Sequence, residues 1–475
     1  MSGPFDNAHY EALLEGLEIT VARCSEILKD NPVIRIDSEY FSKEARRLLA
    51  QLCTCPVKRI SQISNAVTDG IHASIDFSEG SGIRLISAKH PKENYFDAGT
   101  EEISRSQHEA NSRTALRRGD VVISTVGTIG NAAVVDRTLL PANTDRHVGI
   151  VRLKKGWEPE FLSTFLMSKY GQFQMRREVT GNVQPSLFIS KINDILVPDL
   201  PSMFRLGIKQ QVERARNNRW SSLTALASAE QALLDALGLA NWRPPEPLTY
   251  TRSSKDVMAA GRFDSQYFAP RVALLLERLG KDGLAIRDVA SSRQERFKPE
   301  NAGSFRYIEI GDILGNGTVA DKEIEMAEAP SRAIWLVKAG DVLTSTVRPN
   351  RRLSALVMPE QDGCVASSGF VVLQPKYVAA EVLLTYLRLP IFCELMDLHT
   401  SASLYPAISE QDFLNLPFPK VEVKTTEKIV DLVRSSHALR QQSQVLLDRA
   451  QQAVEVAIEE GEAAGMAILE EGDHV

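Results

Sequence analysis

No stretch of this 475-residue chain approaches the roughly 18 uninterrupted apolar residues that a membrane-spanning helix requires. A membrane anchor is therefore not expected. Nor is a secretory leader, since Glu11, Glu15 and Glu18 stand where such a leader would be basic and then apolar. Cysteine is sparse as well. Cys24, Cys53, Cys55, Cys364 and Cys393 are odd in number and unpatterned, which argues against a disulfide framework. The Cys53-x-Cys55 pair has no second pair and no neighbouring histidine to complete a zinc site, so no metal is expected and the thiols read as small buried side chains. The expected location is the cytoplasm. Basic excess is missing too: a net charge of −6 and a pI near 5.9 exclude indiscriminate coating of nucleic acid, though not a local basic surface.

Catalytic constellations are also lacking. The chain has no Walker lysine loop, no His-Glu-x-x-His, no Gly-x-Ser-x-Gly and no Asn-Pro-Pro-Tyr loop. Gly127-Thr128-Ile129-Gly130 has the look of a phosphate cradle but reads better as a hairpin turn. The eight histidines are scattered, and paired acids such as Glu101-Glu102 read as a solvated face. The chain is expected not to be an enzyme.

What is present is a duplication. A constant shift of 221 lays Gly119-Asp120 on Gly340-Asp341, Ser124-Thr125-Val126 on Ser345-Thr346-Val347, Pro185 on Pro406 and Pro198 on Pro419, with no gap. The same shift carries Ala229-Glu230-Gln231-Ala232-Leu233 onto Ala450-Gln451-Gln452-Ala453-Val454. Upstream, Arg35-Ile36-Asp37-Ser38-Glu39-Tyr40-Phe41 recurs as Arg262-Phe263-Asp264-Ser265-Gln266-Tyr267-Phe268, at a shift of 227. The period is domain-sized, so the chain is a tandem repeat of two units. At the Gly127 offset the second copy reads Arg348-Pro349-Asn350-Arg351, which counts against a shared phosphate site.

Each copy runs through the same textures. Residues 8 to 30 form an amphipathic lead-in, and a helix is expected over Ser42 to Leu52. Strands are expected at 82–87, 121–124, 132–135 and 148–153, and a helix from Glu160 to Tyr170. The second copy should have a helix at 272–279, strands at 305–310, 342–346, 355–358 and 369–373, and a helix at 380–387. A proline-free stretch, 205 to 237, carries apolar or small residues at Ile208, Val212, Ala215, Ser222, Leu226, Ala229, Leu233 and Leu237, the seam of one long helix ending near Gly238. A second long helix, 426 to 460, repeats leucine every seven residues at Leu432, Leu439 and Leu446. Burying both seams against each other is the cheapest solution, which makes Val212, Leu226, Leu233, Leu432, Leu439 and Leu446 the expected helix-pair interface.

The fold class is therefore α+β: two β-rich domains in tandem, separated by two long antiparallel, coiled-coil-like helices. The boundaries expected are 1–204 for the first domain, 205–240 for its long helix and 241–258 for a proline-rich linker. The second domain follows at 259–424, its long helix at 425–462, and a frayed acidic tail at 463–475. Basic side chains gather on expected loops: Arg105, Arg113, Arg117 and Arg118, then Lys154-Lys155 and Arg176-Arg177, and in the second copy Arg348, Arg351 and Arg352. Arginine grips phosphate and reads guanine through paired hydrogen bonds.

The order of Gly119-Asp120-Val121-Val122-Ile123-Ser124-Thr125 with Gly127-Thr128-Ile129-Gly130, then Gly181-Asn182-Val183-Gln184-Pro185-Ser186-Leu187, then Ile195-Leu196-Val197-Pro198 leading into the long helix, resembles the DNA-specificity subunits of type I restriction-modification systems. Gly340 to Pro349 and Leu416-Pro417-Phe418-Pro419 carry the likeness in the second half, so it covers nearly the whole chain. The resemblance implies two target-recognition domains, each reading half of a split target on double-stranded DNA, and adds Gln184 to the candidate contacts. It implies two methyltransferase subunits docked on the helices and supplying S-adenosylmethionine, and a motor-nuclease subunit with ATP and Mg where one is present. No cofactor is expected on this chain itself. A scaffold in another phage-defence assembly, with the same fold and no DNA reading, is the alternative.

Overall fold

The computed structural model describes residues 24–28, 35–36, 40–97, 99–181, 184–299, 302–400 and 406–470. Most of the expected lead-in therefore lies outside the described residues, as do 182–183 and 401–405. Among the described residues no helix is long and apolar enough to cross a membrane.

The chain divides into two compact units, Met1–Asn218 with Gln442–Val475, and Arg219–Gln441. This differs from the partition expected above. The long helices, Ser202–Ala236 and Val423–Glu459, are not separate pieces, because each contributes one half to the core of each unit.

In the first unit, Ser42 caps the helix Lys43–Leu52 by accepting the Ala45 N–H at 3.2 Å, a bond of a kind worth about 1 kcal/mol. That helix buries Ala45, Leu48 and Leu52. A four-stranded antiparallel sheet runs in the order Ser64–Asp69, Val148–Leu153, Val121–Ser124, Ala132–Val134. Against it packs the helix Pro159–Met167. The single helix expected from Glu160 to Tyr170 is in fact broken at Ser168, whose hydroxyl caps a second helix, Lys169–Glu178. A smaller sheet joins Glu101–Glu102, Arg84–Ile86 and Ala142–Thr144.

The second unit repeats the main sheet in the same order: Ala290–Ser292, Phe370–Pro375, Val342–Ser345, Ser354–Leu356. The strand pairing uncovers what gap-free alignment hid. Ile123 pairs with Ala132 in the first unit, whereas Thr344 pairs with Ser354 in the second, so the connecting turn is one residue longer there. The expected helix at 380–387 is present as Ala380–Leu387. The linker assigned to 241–258 ends early, because Ser254–Ala260 is helical with Ser253 as its cap.

The repeated Gly-Asp pair closes a tight turn in both units. Gly119 and Gly340 adopt φ of +86° and +87°, which glycine enters without a Cβ penalty. The buried Asp120 then accepts the Arg117 N–H at 2.9 Å, and Asp341 accepts the Lys338 N–H at 2.8 Å. Each acid also holds an arginine, but from different strands. Arg152, within Val148–Leu153, serves Asp120, while Arg293, just after Ala290–Ser292, grips Asp341 at 2.7 and 2.9 Å. Burial pushes the Asp120 carboxyl above its ordinary range, opposed by the Arg117 N–H and Arg152.

The second repeated motif clamps a helix end. Arg35 donates to the Arg177 carbonyl at 2.7 Å and lies over Tyr40; Arg262 donates to the Leu398 carbonyl at 2.6 Å and lies over Tyr267. In each copy the arginine meets the negative end of a short helix dipole.

Within each unit the long helices run antiparallel through a seam of small residues. In the first, Ser443 Oγ donates to the Ala215 carbonyl at 2.7 Å; in the second, Ser436 Oγ donates to the Ser222 carbonyl at 2.9 Å. Ile429, Ser436, Ser443, Ala450 and Ala457, all buried, define the seven-residue repeat of the second long helix. The leucine repeat expected to form the seam lies beside it. Leu432 and Leu439 are only half-buried and Leu446 is buried, because small side chains, not leucines, allow the two backbones to approach. On the first long helix Val212 and Leu233 are buried and Leu226 partly so. Gly238 ends this helix as expected, with φ of +63° and with Leu239 N–H bonded back to the Leu234 carbonyl at 2.8 Å.

Among the described residues, the tail read as frayed is helical. Glu462–Glu470 forms a helix whose Leu469 is buried, and Gln211 Nε2 donates to the Leu469 carbonyl at 3.2 Å. Its acidic residues, Glu462 and Glu470, stand only at the two ends, and the run between them is apolar. The expectation of buried thiols at the Cys53-x-Cys55 pair fails, since Cys53 is exposed and Cys55 half-buried; Cys364 and Cys393 are buried.

Candidate nucleic-acid interface

The central sheet of each unit has two ends, and the candidate contacts divide between them. At the Val121 end, Arg152 donates to the carbonyls of Arg113 and Ala115, which draws segment 113–118 alongside 152–155. Arg117, Arg118 and Lys155 are exposed there. Lys154, also exposed, donates to the Gln62 carbonyl at 2.7 Å. Arg113 is 65% exposed and engages Thr68 Oγ1 and the Asp69 carboxylate.

At the opposite end, about 10–14 Å along a four-residue strand, the turn Gly127–Gly130 lies beside Ser186 through the Val126–Ser186 bridge. Exposed Gln184 is on the same connection. The second unit repeats this geometry: Val347 bridges Ala407, and the Arg348 N–H donates to the Pro406 carbonyl at 2.9 Å.

Arg176 and Arg177 belong to neither group. Instead of the expected loop, both lie in the last turn of the helix Lys169–Glu178. Arg176 is exposed, while Arg177 is half-buried with its guanidinium carbon 3.7 Å from the Tyr40 ring centroid. Helical propensity hid them: Gln172 to Glu178 reads equally well as a charged surface strip.

The turns themselves differ in a telling way. In the first unit the left-handed positions are glycines, Gly127 at φ +72° and Gly130 at φ +94°. Allowing for the extra residue, the matching positions of the second unit are Arg348 at φ +50° and Arg352 at φ +60°. Left-handed backbone costs a side-chain-bearing residue about 1–2 kcal/mol. Between them Pro349 is buried and Arg351 is exposed. Arg352 does not face outward as expected; its Nε donates to the Arg388 carbonyl at 2.7 Å and its Nη2 reaches Glu230 on the first long helix.

Beneath this turn lies a buried polar layer that sequence reading missed. Arg388 donates to the carbonyls of Arg352 and Ser354 at 3.0 Å each, and to that of Gly315. Burial, helped by the Arg352 charge, lowers its pKa to about 10. Nearby on the second long helix His437 is buried, which pushes its pKa down. At the 221 shift its counterpart is Arg216, which in the first unit lies 3.7 Å from the buried Glu160; the counterpart of Glu160 is Glu381, paired at 2.6 Å with Arg434. Among the described residues no three His, Cys, Asp or Glu side chains gather as a metal site would require.

These features define a class: a duplicated α+β chain, each unit built on halves of the same two antiparallel helices and presenting a turn-and-loop edge at one end of its sheet. No family model matches the chain. A type I restriction enzyme HindI specificity subunit from Haemophilus influenzae is 24% identical over 155 residues, 31% of this chain and 33% of that one. Over that segment the chain is similar to a type I restriction-enzyme specificity subunit, and it spans about a third of the length of the curated relative it matches. Similar solved structures include the following two. The S subunit of a type I restriction-modification system from M. genitalium is 10% identical with a TM-score of 0.41, covering 85% of this chain and 95% of that one. The HsdS subunit from Thermoanaerobacter tengcongensis is 18% identical with a TM-score of 0.26, covering 88% and 97%.

Proposed function

We propose that this chain is the non-catalytic DNA sequence-recognition subunit of a type I restriction-modification assembly. Each repeat reads one half of a two-part double-stranded target, and the long helices carry methyltransferase subunits that bring the S-adenosylmethionine chemistry. A motor-nuclease subunit, where present, brings ATP and Mg. The observation that carries this reading is the relation to a named specificity subunit in a chain that is itself duplicated.

The net charge of −6 favours the rival reading, a scaffold that does not bind DNA. A salt titration on pooled random duplexes separates the two. Phosphate contacts make log affinity fall linearly with log salt, by roughly 0.9 per contact. A slope near −4 or steeper is expected, with two separated sequence blocks enriched from the pool. A flat slope would leave the scaffold reading.

A second prediction tests whether the helices act as a ruler on the DNA. Matched insertions belong at Ser222 and Ser436, because Ser222 lies opposite Ser436 and Ser443 opposite Ala215. Seven residues added after Ser222 and seven before Ser436 preserve the seam and lengthen it by about 10 Å. At 3.4 Å per base pair the preferred gap between the half-sites should grow by about three base pairs, with the bases read unchanged. An active variant with the original gap would dismiss the ruler.

A further inference from the structure

The second repeat fills with arginine two left-handed positions that its sister fills with glycine, and one of those arginines does not face outward. Arg352 turns inward to Glu230, whose side chain is 24% exposed, on the first long helix. Two guanidinium groups, those of Arg352 and Arg388, lie together there, and Glu230 is the carboxylate bonded to the first of them. Without Glu230, Arg352 would face Arg388 with its charge uncompensated and would be driven outward. The first repeat has no equivalent. Its matching turn position is Gly130, and the helix residue matching Glu230 is Gln451, which bonds to its own neighbour Glu455 at 3.3 Å.

We propose that Glu230 is a positioning residue for sequence reading by the second repeat: through Arg352 it holds the Arg348–Arg352 turn so that exposed Arg351 meets the DNA of one half-site. This rests on the DNA-recognition reading above. The turn is also held by the Arg348 N–H on Pro406, by Arg388 on the carbonyls of Arg352 and Ser354, by Asn350 Nδ2 on Asp397 at 3.4 Å, by buried Pro349, and by Arg352 Nε on the Arg388 carbonyl. An inward arginine bonded to a helix carboxylate restrains the backbone from beneath while the outer arginine remains available. The two repeats should therefore differ in kind, the second presenting a braced arginine and the first a glycine turn.

The test compares full-length wild type with E230Q, R352A, R351A and the charge-swapped E230R/R352E. Two readouts are taken: amide hydrogen exchange across 348–354, and selection from a randomised duplex pool with a salt titration. E230Q and R352A should speed exchange at 351–354 by about tenfold and blur one half-site while the other stays sharp. E230R/R352E should restore both, which a simple loss of packing would not. R351A should leave exchange unchanged and flatten the salt slope by about one unit. Unchanged exchange in E230Q would overturn the brace. Faster exchange with both half-sites still sharp would overturn its role in reading DNA. Wild type that binds no DNA at all would instead overturn the function proposed for the whole chain, and this role with it.

Discussion

Asp341→Ala is expected to destabilise the second unit by about 3 kcal/mol, because removing one member of a buried ion pair strands the other. Arg293 is 8% exposed and Asp341 3%, so water cannot replace the lost partner. The substitution also frees the Lys338 N–H that Asp341 accepts at 2.8 Å, which opens the Gly340 turn at its base. Glu295, 3.4 Å from Arg293 Nη1, remains and keeps the loss from being larger. Arg293→Ala should cost a similar amount. The double variant should cost less than the sum of the two, since no charge is then left buried. Hydrogen exchange on the strand Val342–Ser345 reads the effect in the second unit alone. A loss below about 1 kcal/mol would mean the pair is no stronger than one on the surface.

Gly171→Ala should be nearly as damaging in the first unit. A Cβ there would stand 2.4 Å from the Phe165 carbonyl oxygen and 2.5 Å from the Leu166 Cα, both backbone atoms of the preceding helix. Neither can rotate away. The break at Ser168 folds the second helix back over the last turn of the first, and only glycine permits that approach. Overpacking against fixed backbone costs about 1–3 kcal/mol, and the upper end is expected here. Gly311→Ala is the control: its Cβ meets nothing within 4 Å, so an effect within about 1 kcal/mol is expected. Urea denaturation followed at the two units separately compares the substitutions, and equal stabilities would show that the helices yield at their crossing.

The duplication, the alternation of strands and helices and the two long helices were all legible in the sequence, because repeats and seven-residue periodicity survive in one dimension. The seam was misplaced by the eye's preference for leucine: Ser436 and Ser443, which sit in it, look polar until the backbones are seen to touch. The candidate site was less legible. Gly-Asp repeats visibly, yet its purpose depends on arginines that come from different strands. Arg177 and Arg352 looked like free charges and proved to be packed, one on Tyr40 and the other against Glu230. Charge is visible in a sequence; direction is not. The extra residue in the second turn was invisible because a gap-free shift also satisfied the flanking motifs, and only strand register exposed it.

The exchange of strands between Arg152 and Arg293 limits how the two repeats can trade sequence. A gene conversion that copied only the segment encoding Phe370–Pro375 over Val148–Leu153 would put Gln374 in place of Arg152 and leave Asp120 buried without a cation. The reverse event would crowd two arginines around Asp341. Crossovers that move both paired strands together keep the acid and its arginine in one inheritance block. New specificities built by shuffling should therefore carry breakpoints outside these paired strands, and hybrids joined inside them should fail at the turn before they ever meet a target.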